Sequence, residues 1–353
     1  FLMIGMYGSG DKVATTLKVT IYTMAGSLFM LLAIFYLGMT YANEFGSWSF
    51  AYNDLAKITS LDASTKTWLF LAFLFAFAIK IPLFPVHTWI MATYKNAPTG
   101  AVFILSSIMA KLGIYAVIRF LIPIFPDEVQ IYSSYLVFIG IFGMVYFGIA
   151  ALTQEDIKRM FAYSSASHLS FIAAGVFTLT SYGLNGALYL IMAHAIATGA
   201  LFLLVGNIQD QRGTKKIKDL GGIAKKAPIL TFIFAIMLFS NVGLPGTSGF
   251  VSEFLIIFGV FEFNIYLRII AALSVIIGAS YMLWMFQKAI LQDRAEGSSE
   301  LNIKDLKIKE ILALTPWVAL IFIMGFFPDI FTNIYESTVE AYLKDILQIG
   351  ATK

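Results

Sequence analysis

Nine apolar stretches run through this 353-residue chain, and they leave little choice of fold. A helix needs about 20 apolar residues to cross the hydrocarbon layer of a membrane. Hydrophobic residues make up 59% of the chain and charged residues 13%, so an ordinary water-exposed surface is excluded. The predicted spans are 17–41, 68–92, 98–122, 130–152, 160–180, 184–207, 228–261, 265–289 and 310–333. We expect an all-α, polytopic transmembrane helix bundle that forms a single domain over residues 1–353.

Two of these spans contain residues that break a helix. In the second span, Pro82 and Pro85 each remove a backbone donor from an apolar run. In the seventh span, the sequence Gly243-Leu-Pro245-Gly246 interrupts a segment that is too long for one straight crossing. Such breaks are tolerated in a membrane only where they face protein or water. Interrupted helices in two corresponding halves are typical of transporters with inverted repeats, so we expect inverted repeats here.

The distribution of basic residues predicts the orientation of the bundle. Of the 24 lysines and arginines, 16 fall in alternate loops beginning with the N-terminal one, 5 fall in the other loops, and 3 lie inside spans. Positively charged loops remain in the cytoplasm, so the C-terminus is expected on the outer or periplasmic side. We interpret the most basic loop, 207–226, as a topology determinant, with a lipid or partner contact as the alternative. The polar segment 290–309 is interpreted as a cytoplasmic linker.

Ionisable residues inside the spans are the candidate functional residues, because a charge at the bilayer centre costs about 2.5–3.5 kcal/mol on insertion scales. Lys80 precedes the first break, and Lys111 lies midway along the third span. Ser107 and Tyr115 lie four residues to either side of Lys111, so we expect all three on one helix face. Both lysines are candidate proton carriers, and a static ion pair is the alternative for Lys80. Arg119 cannot deprotonate, so it either tunes a neighbour or extends to the surface.

Glu253 follows the second break. It lies in the early turns of the restarting helix, where the helix dipole favours an anion. Thr247 or Ser248 is expected to cap this helix. The apolar surroundings of Glu253 favour a proton-exchanging group, and a carboxylate of the capping type is the alternative.

The chain has three histidines, His87, His168 and His194, and all lie within or beside spans. Histidine titrates near neutral pH, which suits a proton relay; a hydrogen-bonded core residue is the alternative in each case. Ser164 and Thr198 lie four residues from His168 and His194, so we expect each to bond its histidine or line a file of water.

Several other kinds of site find no support. The chain contains no cysteine, which excludes disulfides, thiolate zinc sites and cysteine-ligated iron–sulfur clusters. It shows no phosphate loop, nucleotide fingerprint or catalytic serine constellation. Nothing beyond the two residues themselves supports a haem between His168 and His194. We therefore expect no cofactor and no metal in this chain, and no nucleic acid partner.

Seven separated motifs carry a family resemblance. They are Phe77-Ala-Ile-Lys80-Ile-Pro-Leu-Phe-Pro-Val-His87-Thr-Trp89, Ala97-Pro98-Thr99, Lys111-Leu-Gly-Ile-Tyr-Ala-Val-Ile-Arg119, Gln154-Glu-Asp156-Ile-Lys158-Arg159, Ala162-Tyr163-Ser164-Ser165-Ala-Ser-His168, Met192-Ala-His194 and Gly243-Leu-Pro245-Gly246-Thr-Ser-Gly-Phe250-Val-Ser-Glu253-Phe. With these motifs the chain resembles the antiporter-like subunits of respiratory complex I, the proton-pumping NADH–quinone oxidoreductase, of the chain M or chain 4 type.

The resemblance implies a fold of fourteen spans with two inverted five-helix repeats. Residues 1–122 would be the end of the first repeat, 130–289 the second repeat, and 310–353 the C-terminal span and tail. Since residues 1–7 also read as the end of a span, we expect the chain to be N-terminally incomplete.

The resemblance also implies roles for individual residues. Lys80 would be the lysine of the broken helix, Lys111 the central connecting lysine and Glu253 the terminal proton site. His168 and His194 would lie on the axis between the half-channels.

Two features depart from the family pattern. The glutamate that normally pairs with the broken-helix lysine would precede Phe1. The family continues after His-x-Trp with Leu-Pro-Asp-Ala-His, whereas this chain has Ile90-Met-Ala-Thr-Tyr94, so a role of that aspartate or histidine in proton uptake is not carried over.

The function that the resemblance implies is that of a non-redox, proton-translocating subunit, which couples electron transfer in its partners to proton pumping. Flavin, iron–sulfur clusters and quinone would be held by partner subunits, and the contacts would be neighbouring antiporter-like subunits and lipid. The expected location is a bacterial cytoplasmic membrane or an organellar inner membrane. The alternatives are a subunit of a multi-subunit sodium/proton antiporter, a subunit of a membrane-bound hydrogenase complex, and an inert scaffold or cytochrome-like anchor.

Overall fold

The computed structural model describes residues 1–293 and 303–351. The predicted linker 290–309 lies partly outside these residues, because 294–302 are not described. The described residues form helices and no β-strand. The predicted all-α transmembrane bundle is therefore confirmed, while the repeat boundaries stay a prediction.

Twelve long helices make up the bundle as the described ranges define it. They are α1 (Lys12–Phe45), α2 (Ala63–Lys80), α3 (Thr88–Asn96), α4 (Thr99–Ile124), α5 (Pro126–Leu152), α6 (Ile157–Phe177), α7 (Ser181–Arg212), α8 (Pro228–Val242), α9 (Ser248–Phe263), α10 (Ile265–Leu291), α11 (Ile308–Phe326) and α12 (Glu336–Ala351). Short helical turns cover Leu2–Tyr7, Tyr52–Leu55, Ile217–Asp219, Ile223–Lys226 and Asp329–Thr332.

Within the described chain, 8 of these helices are long and apolar enough to cross a membrane. The predicted seventh span is instead built from two shorter helices, α8 and α9, on either side of the second break. The predicted ninth span ends earlier than expected, at Phe326 rather than at residue 333. Pro328 explains the early end, because a proline disfavours helical geometry in the residue before it, and Phe327 has φ −126°.

The first break lies between α2 and α3, and its freed carbonyls find other donors. Pro82 cannot donate to the carbonyl of Ala78, which accepts from the amide of Leu83 at 2.9 Å. The carbonyl of Ile79 accepts from the indole Nε1 of Trp89 at 2.9 Å. Backbone polar groups inside a bilayer need such partners, so the break is a stable feature of the interior.

The second break lies between α8 and α9. Gly243 ends α8 with a left-handed φ of +77°, which other residues rarely adopt, and the amide of Leu244 then bonds the carbonyl of Phe239 at 3.0 Å. Thr247 occupies the N-cap position of α9 as expected, but its hydroxyl donates to the carbonyl of Leu244 rather than accepting from the new helix.

Helix α6 lies at the centre of the second half of the chain. It packs against α3, α5, α7 and α9, and nearly all of its residues are buried. Small residues permit this packing: a Cβ added at Gly140 of α5 would lie 2.8 Å from the Cβ of Ala174 on α6. Side chains on α6 are therefore enclosed by protein on every side.

Candidate functional site

Two ionisable side chains meet in the interior where α6 packs against α9. The Nδ1 atom of His168 lies 3.5 Å from the Oε1 atom of Glu253, and the exposed fractions of the two residues are only 8% and 5%. Glu253 reaches this place because α9 restarts just after the second break, whose Gly243 leaves room for the carboxylate: a Cβ there would lie 2.8 Å from Oε2. The geometry allows a proton to be shared between imidazole and carboxylate.

His194 of α7 extends this pair. Its ring centroid lies 5.0 Å from that of His168, and it is also buried. Three ring nitrogens have no hydrogen-bond partner within the described chain. They are Nδ1 and Nε2 of His194 and Nε2 of His168. These nitrogens can gain or lose a proton without breaking a bond to another described residue, and both roles weighed for the histidines stay predictions.

The hydroxyl groups beside the histidines have partners that differ from the expected ones. The Ser164 hydroxyl lies 3.0 Å from the Tyr281 hydroxyl of α10, and the Thr198 hydroxyl donates to Oδ1 of Asn241 of α8 at 3.3 Å. Of the two arrangements expected for Ser164 and Thr198, the bond to the neighbouring histidine is wrong, and a place along a file of water stays a prediction. Hydroxyls on a helix reach across to neighbouring helices as readily as along their own.

Tyr281 and Asn241 are residues that the sequence argument missed. Both line a narrow polar cavity of about 10 Å³ together with His168 and Glu253. A cavity of this size accommodates about one water-sized probe. The signals available were a tyrosine midway along a mainly apolar span and an asparagine just before a break.

Lys111 lies in the middle of α4, buried with an exposed fraction of 5%. Its ammonium group donates to the carbonyl of Ser106 in the preceding turn, which is a π-helix over Leu105–Met109. Ser107 is buried as expected, but Tyr115 is 56% exposed, so the predicted common face is wrong for Tyr115. Four residues advance a side chain by about 40° around an α-helix, which carries the long tyrosine side chain to the outside.

Lys111 is also close to the histidine pair. The Lys111–Ala116 part of α4 contacts α6, and the π-helical turn before it contacts α7. Lys111 is within electrostatic range of both His168 and His194. Four of the predicted residues thus form a buried group on neighbouring helices: Lys111 on α4, His194 on α7, His168 on α6 and Glu253 on α9.

Lys80 lies at the C-terminal end of α2, where the helix dipole favours a cation. Gly113 of α4 lets this end approach closely, since a Cβ on Gly113 would lie 2.6 Å from Cγ1 of Ile81 and 3.0 Å from Cβ of Lys80. Lys80 therefore lies beside the helix turn that carries Lys111. In the described ranges Lys80 forms no ion pair, and both roles weighed for Lys80 stay predictions.

His87 and Arg119 lie away from this buried group. His87 is buried just after the first break, with its ring centroid 4.6 Å from that of Phe147. Arg119 is exposed, and its guanidinium lies over the Tyr52 ring, 5.0 Å from the centroid. Both roles weighed for Arg119, tuning of a neighbour and extension to the surface, stay predictions.

The described residues contain no group of three or more histidine, cysteine, aspartate or glutamate side chains that could hold a metal ion. The absence of cofactors remains an expectation.

The fold and the buried group define a class of protein. Its members are multi-pass membrane proteins that hold ionisable side chains in their interior, beside broken helices. The family model for the transmembrane segment of NADH:quinone oxidoreductase and Mrp antiporter subunits matches residues 1–278. The chain belongs to this family, and it is an integral, multi-pass membrane subunit.

Comparison with individual relatives indicates which type of subunit in this family the chain resembles. NADH-quinone oxidoreductase subunit M of Rickettsia bellii is 36% identical over 344 residues, which cover 97% of this chain and 68% of the relative. A chain in the structure of respiratory complex I from Thermus thermophilus with bound NADH superposes with a TM-score of 0.87 at 34% identity, covering 97% of this chain and 71% of that one. The resemblance to antiporter-like subunits of complex I is thereby confirmed.

A chain in the structure of the Mrp complex from Dietzia sp. superposes with a TM-score of 0.83 at 19% identity, covering 95% of this chain and 70% of that one. Similarity at this level shows a common fold alone, so the antiporter alternative is not favoured.

Proposed function

We propose that this chain is the subunit M type of proton-translocating membrane subunit in an NADH–quinone oxidoreductase. The observation that carries the proposal is the buried series Lys111, His194, His168 and Glu253, which crosses from α4 to α9 with unpartnered histidine nitrogens in its middle. The assignment to an NADH–quinone oxidoreductase is supported by the names of the chain's relatives. As a non-redox subunit of that enzyme, the chain acts as part of a translocase.

Protons enter from the cytoplasmic side and reside near Lys80 and Lys111. They pass His194 and His168 and leave by Glu253 toward the outer side. The contact of α2 with α4 at Gly113 supports the first transfer, and the 3.5 Å approach of His168 to Glu253 supports the last. Each group along the series can hold a proton in an interior where bulk water does not compete. His87 adjusts the proton affinity of the groups at the cytoplasmic end of the path. Of the predicted residues, Arg119 has the weakest support for a role in proton transfer.

The driving force comes from outside this chain. Flavin, iron–sulfur clusters and quinone belong to partner subunits, and a change of charge in a neighbouring antiporter-like subunit shifts the protonation of Lys80 and Lys111. A charge in a neighbouring subunit can act on these two lysines because the low dielectric of the protein interior screens it weakly. The C-terminus faces the outer side of a bacterial cytoplasmic or organellar inner membrane, as the distribution of basic residues predicts.

The test compares Glu253→Gln with Glu262→Gln in membrane vesicles that contain the complete enzyme. Glu262 is an exposed carboxylate on the same helix and serves as the matched control. We expect Glu253→Gln to lower the number of protons taken up per electron transferred and the control to leave it unchanged. An unchanged ratio in Glu253→Gln and in Lys111→Met would contradict the proposal and favour an inert scaffold.

A further inference from the structure

A separate cavity of about 430 Å³ lies at the predicted cytoplasmic end of the bundle, between α1, α3 and α6. Its charged lining residues are Lys18 of α1, Lys95 of α3 and Arg159 of α6. His87 lines its inner end. The volume lies in the range of pockets that hold small molecules, about 300–1,000 Å³.

The charged side chains in the lining of this cavity are all basic. Among the described residues that line it, none is acidic, and Lys18, Lys95 and Arg159 form no ion pair with any described residue. The carboxylates at the starts of α1 and α6 lie outside the lining: Asp11 accepts from the amide of Ala14, and Asp156 accepts from two amides of its own helix and lies 4.0 Å from the ammonium of Lys215. Three cations facing one space repel each other unless an anion lies between them.

The field of these cations reaches beyond the cavity. The ammonium of Lys215, in the loop after α7, donates to the carbonyl of Lys95 at 2.7 Å. Burial lowers the pKa of Lys215, and the charge of Lys95 lowers it further, while Asp156 opposes both. The Asp156 carboxylate therefore opposes the lowering of the pKa of Lys215. No carboxylate lies in the lining of the cavity, among the described residues, to do the same for its cations.

The lining also contains a buried polar side chain. His87 has an exposed fraction of only 5%. The guanidinium of Arg159 lies 6.0 Å from the centroid of the Tyr163 ring, which also lines the cavity. Ammonium and guanidinium groups only donate hydrogen bonds, and such a set matches an oxyanion with several acceptor oxygens.

We propose that this cavity binds the phosphate group of an anionic phospholipid headgroup. The depth is appropriate, because Lys18, Lys95 and Arg159 all lie within two turns of the ends of their helices, at the level where headgroups meet the bundle. Basic pockets between transmembrane helices on the cytoplasmic side bind such headgroups. Free inorganic phosphate presents the same chemistry, and the experiment separates the two sources. The site is additional to the proposed proton series.

The experiment measures lipid retained by the purified, partly delipidated complex after exposure to vesicles of phosphatidylglycerol or of phosphatidylcholine. The variant is Lys18→Gln/Lys95→Gln/Arg159→Gln. The matched control, Lys216→Gln/Lys218→Gln/Lys226→Gln, removes equal charge from exposed lysines on the same predicted side. Each cation near a headgroup contributes about a fivefold change in affinity. We expect retained phosphatidylglycerol to bind on the order of 100-fold more weakly in the first variant and within about twofold of wild type in the control.

Two further measurements keep the result decisive. Arg159→Lys retains the charge and should retain most of the binding, which separates lost charge from lost folding. Inorganic phosphate is added alone and in competition with phosphatidylglycerol. Phosphate that binds where no lipid is retained would assign the cavity to free phosphate and overturn the lipid source. Equal lipid retention in wild type and the first variant, or equal losses in the two triple variants, would overturn the site itself.

Discussion

The hydroxyl of Tyr342 donates to the carbonyl of Ile118, which connects helix α12 to the C-terminal part of α4. Ile118 lies in a π-helical turn, where a carbonyl accepts from the amide five residues further on. That residue is Pro123, which has no amide hydrogen, and the amide of Ile122 is already bonded to Val117. A distant side chain thus supplies the donor that the local sequence lacks.

Tyr342→Phe should loosen α12. Removal of the hydroxyl leaves a part-buried carbonyl without this donor, at a cost of about 1–3 kcal/mol. We expect faster hydrogen exchange and proteolysis of α12, measured by mass spectrometry, with little change in the remaining helices. Tyr266→Phe is the control, because Tyr266 is 80% exposed. Equal protection of α12 in wild type and Tyr342→Phe would refute this role of the bond.

Gly113→Ala should separate α2 from α4. The added Cβ would lie 2.6 Å from Cγ1 and 2.9 Å from the backbone nitrogen of Ile81, so the helices must shift, at a cost of about 1–3 kcal/mol. We expect a lower thermal unfolding temperature and slower proton uptake, because Lys80 moves away from Lys111. Gly100→Ala is the matched control on the same helix, since nothing lies within 4 Å of its added Cβ. A similar response of both variants would argue against the close approach.

Asp305→Ala should destabilise the start of α8. The Asp305 carboxylate accepts from the amides of Ile229 at 2.9 Å and Leu230 at 2.8 Å, which caps a helix from a distant segment. Loss of such a cap costs about 0.5–2 kcal/mol. Asp293→Ala, which removes only the exposed pair with Lys225, should cost less than about 1 kcal/mol. Thermal unfolding of the two variants in detergent would show the difference, and equal shifts would contradict the assigned cap.

His168→Asn and Glu253→Gln should not act independently on proton uptake. Residues in contact show coupling of about 0.5–3 kcal/mol in a double-mutant cycle. We therefore expect the double variant to lose less activity than the sum of the single losses, because either substitution alone already interrupts the same transfer. The matched cycle of His168→Asn with Glu262→Gln should be additive. Additivity in both cycles would place His168 and Glu253 in separate steps.

The sequence by itself determined the class of fold and the breaks. Each apolar run forms its backbone hydrogen bonds within its own helix, so the positions of the spans follow from local composition. Pro82 and Gly243 act on their own chain segments, and their effects are visible without a structure. Lys111 and Glu253 could also be selected from sequence, because the cost of a charge in an apolar span depends mainly on the span that carries it.

Only the tertiary structure decided which polar groups meet. Ser164 pairs with Tyr281 and Thr198 with Asn241, across helices rather than along them. A hydrogen bond requires an approach of about 3 Å, whereas a small rotation of a helix moves a side chain by more than that. The rotation and crossing of the helices depend on contacts between distant residues, such as Gly113 with Ile81. Helical spacing in the sequence does not contain that information, and for this reason it misplaced Tyr115 and the partners of both hydroxyls.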